Sequence, residues 1–232
     1  MNNSVVIVGG GPVGTIFALL NNSRAPKIDT LLLESNSENK TKSDKRALAL
    51  SNGSKFILEK IGVWSDLKDK LTPIKSIHTS QKGTFGRSLI EAEEFDQGAL
   101  GYIISYGDLI ASLQRKIRNS KNIQALYGSE VSSFLSKDNK QSLNFKHNNK
   151  EKSAKCDLLV LADGGAAEID GIYIERTNKS FNHSALVTHV KSEIPHSNVA
   201  YERFTNTGPM ALLPNLKDQY SLVWTGPSDE IK

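Results

Sequence analysis

One cysteine in 232 residues, Cys156, excludes an internal disulfide and any metal cluster built on cysteines. It stands just before the apolar run Leu158 to Leu161 and reads as a small residue near a strand entrance. The five histidines, His78, His147, His183, His189 and His196, have no metal-ligand spacing, so no metal site is expected. No Ser/His/Asp or Cys/His arrangement is visible, which removes the usual nucleophilic hydrolases from consideration and leaves no side chain with an assignable catalytic role. The basic residues, with a net charge of +4, are not interleaved with exposed aromatics or placed in a reader motif, so nucleic acid is not an expected partner. That mild charge suits either attraction to an anionic membrane surface or simple solubility. No apolar stretch approaches the roughly 20 residues that span a bilayer. Val5 to Leu20 imitates a secretory signal, but it lacks a basic leader and is broken by four glycines and a proline. A cytoplasmic location, or the equivalent compartment of an organelle, is expected.

What is present is concentrated at the N-terminus. A β-branched run, Ser4 to Val8, leads into Gly9-Gly10-Gly11-Pro12-Val13-Gly14 and then into the apolar stretch Ile16, Phe17, Leu19, Leu20. This is G-x-G-x-x-G in strand, turn, helix order. Gly9 permits the tight turn, Gly11 leaves room for a pyrophosphate, and Gly14 allows the helix to pack close to the strand. The free N–H groups at the helix start then face the phosphates. Twenty residues past Gly14, Glu34 closes a second strand, Thr30 to Leu33, where a carboxylate can accept the ribose hydroxyls. The spacing predicts a dinucleotide site on an α/β fold.

Farther along, the polar, lysine-rich segment Ser35 to Lys45 reads as a mobile surface connection. Ser51 is placed to cap a helix carrying Phe56, Ile57, Leu58 and Ile61 and stopped by Gly62. Strands and turns are expected over 77–104, and Asp108 is expected to cap an amphipathic helix bearing Leu109, Ile110, Leu113 and Ile117. Ile123 to Leu126 returns as a strand. Ser129 to Leu135 and Leu143 to His147 form a hairpin meander around Lys137-Asp138-Asn139-Lys140. Leu158 to Ala162, continuously apolar, suits a parallel strand covered on both faces and ends in Asp163-Gly164. Beyond it, Ala185 to Val190, Val199 to Phe204, Met210 to Leu213 and Tyr220 to Trp224 are separated by prolines and glycines, the pattern of an antiparallel sheet. The domain reading is a nucleotide-binding α/β domain over 1–180, with the strands of 77–104 contributing to the substrate side, and an incomplete substrate-side sheet over 181–232.

Several segments in order carry a family resemblance. They are Gly9, Gly11 and Gly14 with Glu34; Arg46-Ala47-Leu48-Ala49-Leu50-Ser51 leading to Ile61-Gly62-Val63-Trp64; Leu100-Gly101-Tyr102-Ile103-Ile104; Ala162-Asp163-Gly164; and Tyr201-Glu202-Arg203-Phe204 with Gly208-Pro209-Met210-Ala211-Leu212-Leu213-Pro214. The chain resembles the ubiquinone-biosynthesis hydroxylases, a group of class A flavoprotein aromatic monooxygenases. The resemblance implies a Rossmann-like FAD-binding fold of the p-hydroxybenzoate hydroxylase kind, with the beginning of an antiparallel substrate-side sheet and the C-terminal part of the fold absent. It implies FAD as cofactor, NAD(P)H as transient electron donor, and hydroxylation of a prenylated phenol. It also implies peripheral association with the inner face of the inner membrane or with a biosynthetic assembly. Gly9, Gly11 and Gly14 then serve the pyrophosphate, Glu34 the ribose, Arg46 the flavin phosphates, Val131 the adenine, and Asp163 the second flavin motif. Val131 also reads as core.

Two departures stand out. Ala167 and Asp170 occupy the places where the family carries serine and arginine, and the chain reaches Lys232 before the family's third, Gly-Asp motif. Two other readings therefore stay open: a monooxygenase of the same fold acting on another ring, and a non-catalytic flavin-fold protein acting as a binding partner.

Overall fold

A computed structural model describes residues 2–231 apart from 138, 139, 166 and 167. The expected turn residues Asp138 and Asn139, and Ala167, therefore lie outside the described residues. In chain order the elements are β1 (Asn2–Val8), α1 (Pro12–Arg24), β2 (Thr30–Glu34), α2 (Glu38–Lys42), β3 (Ala47–Ser51), α3 (Asn52–Lys60), β4 (Thr72–Ile74), β5 (Ser76–Gln81), β6 (Arg87–Glu91) and β7 (Gly101–Ser105). They continue with α4 (Tyr106–Arg118), β8 (Ile123–Tyr127), β9 (Ser129–Lys137), β10 (Lys140–His147), β11 (Lys150–Leu161), β12 (His183–Lys191), β13 (Val199–Phe204), β14 (Pro209–Asn215), β15 (Gln219–Pro227) and α5 (Ser228–Ile231).

These elements make two compact units. The first comprises Met1–Asp44, Ile57–Asp66 and Gly107–Arg176; the second comprises Lys45–Phe56, Leu67–Tyr106 and Thr177–Lys232.

The first unit is built on a six-stranded sheet in the order β8-β2-β1-β11-β10-β9. β8, β2, β1 and the last part of β11 run parallel. β10 and β9 continue it antiparallel. Alternation along the strands sends Val6 and Val8 of β1 and Leu31 and Leu33 of β2 to one face. There they meet Val131, Leu143, Phe145, Ala154 and Cys156, so the meander of β9, β10 and β11 packs over that face as core. α1 buries Gly14, Thr15, Ala18 and Leu19. α4 buries Leu109, Ile110, Leu113 and Ile117, the stripe that its sequence spacing predicts.

The second unit holds a six-stranded sheet, β12-β15-β14-β13-β5-β6, and a three-stranded sheet, β3-β7-β4. The larger sheet is antiparallel except where β13 runs parallel to β5. Ile74, Ile103 and Ala200 form a core cluster, with Ala47, Ile77, Leu100 and Leu213 packed against it.

Four sequence expectations need correction. The segment 35–45 contains a helix, α2, because Glu38 pairs with Lys42 at 3.1 Å and with Arg118, and Gln114 Nε2 donates to Thr41 Oγ1 at 3.3 Å. A five-residue helix is too short to show apolar periodicity, and its ties to α4 are tertiary. Asp108 does not cap α4, which begins at Tyr106; the carboxylate lies in the first turn, where the helix dipole favours it. Cys156 is inside β11 rather than at its entrance, opposite Asn3 on one side and Gln141 on the other. Leu158 to Leu161 is parallel to β1 as expected but is not covered on both faces: Leu158 is 50% and Leu161 37% exposed. β10 pairs with β11 only up to Cys156. Ser51 does cap α3, its Oγ accepting the Ser54 N–H at 3.2 Å.

Candidate functional site

The glycine turn leaves β1 at its carboxyl end, between the carboxyl ends of β2 and β11. β1 is where the strand order reverses, because the chain moves to β2 on one side and much later returns as β11 on the other. Crevices at such switch points are where open parallel sheets bind nucleotides.

Each glycine of the turn has its own reason. Gly9 has φ +109°, a conformation that side chains resist, and a Cβ there would collide with the Ala162 carbonyl. Gly10 is not one of the three glycines of the fingerprint. A Cβ on it would stand 2.7 Å from the Glu34 Cβ, so close approach of β2 also demands glycine here. A Cβ on Gly14 would strike the Gly9 carbonyl oxygen, which fixes how tightly α1 sits on the turn. Gly11, in contrast, is the N-cap of α1 with φ −67° and ψ −178°. Any residue adopts that conformation, so the turn itself does not require glycine at this position.

The turn is strapped by hydrogen bonds. Gly9 N–H donates to the Leu33 carbonyl at 2.8 Å, and Ala162 N–H to the Val8 carbonyl at 2.7 Å. Thr15 Oγ1 donates to the Gly10 carbonyl at 3.0 Å. Glu34, only 8% exposed, is the central acceptor. Its Oε2 takes the Gly10 N–H at 2.7 Å, and its Oε1 takes the Asn36 N–H at 2.7 Å, the Asn36 Nδ2 at 2.8 Å and, more distantly, the Ser35 hydroxyl at 3.4 Å. A carboxylate has about four lone-pair directions. Glu34 therefore works first as a clamp between the glycine turn and the segment after β2. The free acceptor capacity is on Oε2. The pattern Glu-x-Asn was the available sequence signal for this clamp.

On the other side, Ala162 and Asp163 follow β11 directly. Asp163 Oδ1 accepts the Gly165 N–H at 3.1 Å, closing a small turn beside Gly9. The first unit thus brings Gly9, Gly11, Gly14, Glu34 and Asp163 to one end of three adjacent strands. Val131 is in the same unit but buried in the core cluster beside Phe145, its register partner on β10. Asp170 exchanges backbone hydrogen bonds with the outer edge of β9, through Ser132 and Phe134, three strands removed from β1. Burial raises the Cys156 thiol above its usual range, helped by Asp157. Among the described residues no group of three or more His, Cys, Asp and Glu side chains could hold a metal.

Arg46 belongs to the second unit, immediately before β3. Its carbonyl accepts the Tyr106 N–H at 2.8 Å, and its guanidinium lies over the Tyr106 ring, 5.4 Å from the centroid.

The family described as FAD binding domain matches residues 2–230. An uncharacterized protein of Synechocystis, slr1300, is 27% identical over 96% of this chain and 54% of its own length. The ubiquinone biosynthesis monooxygenase COQ6 of Caenorhabditis elegans is 27% identical over 97% of this chain and 52% of its own length. Among solved structures, p-nitrophenol 4-monooxygenase PnpA of Pseudomonas putida superposes with a TM-score of 0.81 at 15% identity, covering 98% of this chain and 59% of that one. The chain spans about half the length of the curated relatives it matches. No helix among the described residues is long and apolar enough to cross a membrane.

Proposed function

The chain belongs to the FAD binding domain family, and from that membership we propose that it is the nucleotide-holding part of a flavin-dependent monooxygenase that hydroxylates the ring of a prenylated phenol in ubiquinone synthesis. The observation that carries the reading is the switch-point turn, where Gly9 to Gly14, Glu34 and Asp163 meet at the carboxyl ends of β1, β2 and β11. The relatives named for ubiquinone synthesis support the substrate class.

The residues fit a flavin dinucleotide. The extended backbone at Gly11 and the start of α1 present N–H groups where a pyrophosphate can sit without a side chain in its way. Glu34 Oε2 would accept from an adenosine ribose hydroxyl, and β9, whose Val131 side chain is in the core, would lie on the adenine side. Arg46 offers a planar fork of donors suited to phosphate oxygens. Asp163 lines the approach to the pyrophosphate from the β11 side. The chemistry supplied by FAD when bound is hydride acceptance from NAD(P)H and activation of oxygen for insertion into the ring. The protein binds, orients and shields, and this reading requires no side-chain nucleophile. A peripheral position at the membrane that holds a prenylated phenol agrees with the net charge of +4.

The test is FAD retention after gel filtration for the chain and for Gly11→Val, with circular dichroism to verify folding. Weak retention in the parent and its loss in a folded variant is the expected result; equal retention would remove the site. Flavin content, NAD(P)H oxidation and product analysis with candidate prenylated phenols, for this chain beside one extended to its relatives' length, test the reaction. Turnover is expected only in the extended chain.

A further inference from the structure

We infer that His189 is a positioning residue for Arg46: fixed in one tautomer by Ser221 and Asn215, it holds the Lys45–Arg46 peptide through the Lys45 carbonyl. The inference rests on the reading of Arg46 as a phosphate-binding residue.

His189 on β12 stands opposite Ser221 on β15, and Ser221 stands opposite Leu213 on β14, two residues before Asn215. The three polar side chains form a closed triangle. His189 Nδ1 lies 3.1 Å from Ser221 Oγ and 3.2 Å from Asn215 Nδ2, and Asn215 Nδ2 donates to Ser221 Oγ at 3.2 Å. The other ring nitrogen, Nε2, lies 3.0 Å from the Lys45 carbonyl oxygen.

A carbonyl oxygen can only accept, so Nε2 carries the proton. In the neutral ring Nδ1 is then an acceptor with one lone pair, which takes the Ser221 hydroxyl, while the Asn215 amide donates to Ser221 Oγ and faces the same ring edge. Ser221 is fully buried, so its hydroxyl needs these partners, and the triangle satisfies it in both directions. His189 is exposed, so its ring answers to the partners at its two nitrogens and not to packing.

The consequence falls on Arg46. The peptide group before it is tied by His189 to the Lys45 carbonyl, and the one after it by the Tyr106 N–H to the Arg46 carbonyl. The two bonds set the backbone on either side of the arginine Cα, while the Tyr106 ring supports the guanidinium. An arginine ordered in advance loses less freedom when it meets an anion.

The experiment compares the whole chain with His189→Phe, which removes the Nε2 donor, and His189→Gln, whose amide nitrogen can reach the same carbonyl. Ser221→Ala provides a milder perturbation that keeps the ring. The first readout needs no ligand: tryptic cleavage after Lys45 and Arg46 under native conditions should accelerate several-fold in His189→Phe, less in Ser221→Ala, and return to the parental rate in His189→Gln. The second is FAD affinity, expected to fall about three- to tenfold in His189→Phe, the loss of one net hydrogen bond, and to be restored in His189→Gln. In an Arg46→Ala background His189→Phe should have no further effect on affinity. Unchanged cleavage in both His189→Phe and Ser221→Ala, failure of Gln to restore it, or additive effects of Arg46→Ala and His189→Phe would overturn the inference. No FAD binding by the parent chain would instead overturn the functional reading, and the cleavage comparison would still decide whether His189 holds the segment.

Discussion

β1 has a leucine-rich parallel strand on each side, and the two differ in burial. Leu31, Leu32 and Leu33 of β2 are buried, between the meander on one face and α1 on the other. In the second run, Leu158 to Leu161 of β11, Leu158 and Leu161 are exposed. Both runs pair with β1 in regular register. A continuous apolar run therefore states what a strand can tolerate, and cover has to come from elsewhere in the chain. The same holds in the second unit, where Leu186 and Val187 of β12 and Phe204 of β13 are exposed. The finished side of the first unit is the one that carries the Glu34 clamp.

Substitutions can break this comparison or sharpen it. The largest effect is expected at the turn that leaves the strand both sides share. Gly9→Val combines a positive φ with a collision at Ala162, and should cost roughly 3–5 kcal/mol, from backbone strain plus overpacking. Gly11→Ala, in an extended backbone, should change the melting temperature little while still weakening FAD. Comparable destabilisation by the two, in thermal melts, would mean that the turn does not constrain Gly9 as described.

Next, Leu32→Ala should destabilise by about 2–5 kcal/mol, whereas Leu158→Ala, half exposed already, should cost less than about 1 kcal/mol. Urea unfolding of both variants measures the difference. Equal losses would show that the β11 run is covered in solution, by association or otherwise. Light scattering would distinguish those cases.

The chemistry at the two strand ends should differ in the same direction. Glu34→Gln replaces a carboxylate that accepts from Gly10 and Asn36 with an amide having one acceptor, leaving a buried donor unpaired at a cost of about 1–3 kcal/mol. Asp163→Asn keeps an acceptor for Gly165 at a more open position and should stay within about 0.5 kcal/mol. Their order in urea midpoints checks the clamp.

The last effect is absent at neutral pH and concerns the neighbour of β2. Burial, with Glu38 and then Glu34 adding to it against Arg118, pushes the Tyr127 phenol up to about 12 from its ordinary 10.0. Between those values the unfolded chain releases the proton first, so stability should fall as pH rises from 10 to 12 and be unaffected by this group below 10. Tyr127→Phe should flatten that alkaline slope in pH-dependent melts; an identical slope would show that other groups produce it.

Much of the first unit was legible because its information is local. Gly9, Gly11 and Gly14 lie within six residues, and Glu34 follows at the distance that one helix and one short strand occupy. The amphipathic face of α4 and the hairpin strands are likewise written in near neighbours. Ser51 needed only Ser54 to act as a cap. Gly10 escaped because its constraint is the Glu34 side chain, a contact between two strands. The helix at 38–42 escaped because α4, far away in sequence, holds it.

The sequence alone determined the fold class, the strand, turn and helix of the glycine motif, and the acid that closes β2, since backbone preferences and short-range periodicity act between residues a few positions apart. Only the tertiary structure decided that Val8 lies against Leu161, that the Glu34 oxygens are engaged by Gly10 and Asn36, and that His189 reaches the Lys45 carbonyl. Those contacts join residues up to about 150 positions apart. An alternating or apolar strand can pair in several registers with similar local energy, so the choice is made by the packing and hydrogen bonds of the whole unit.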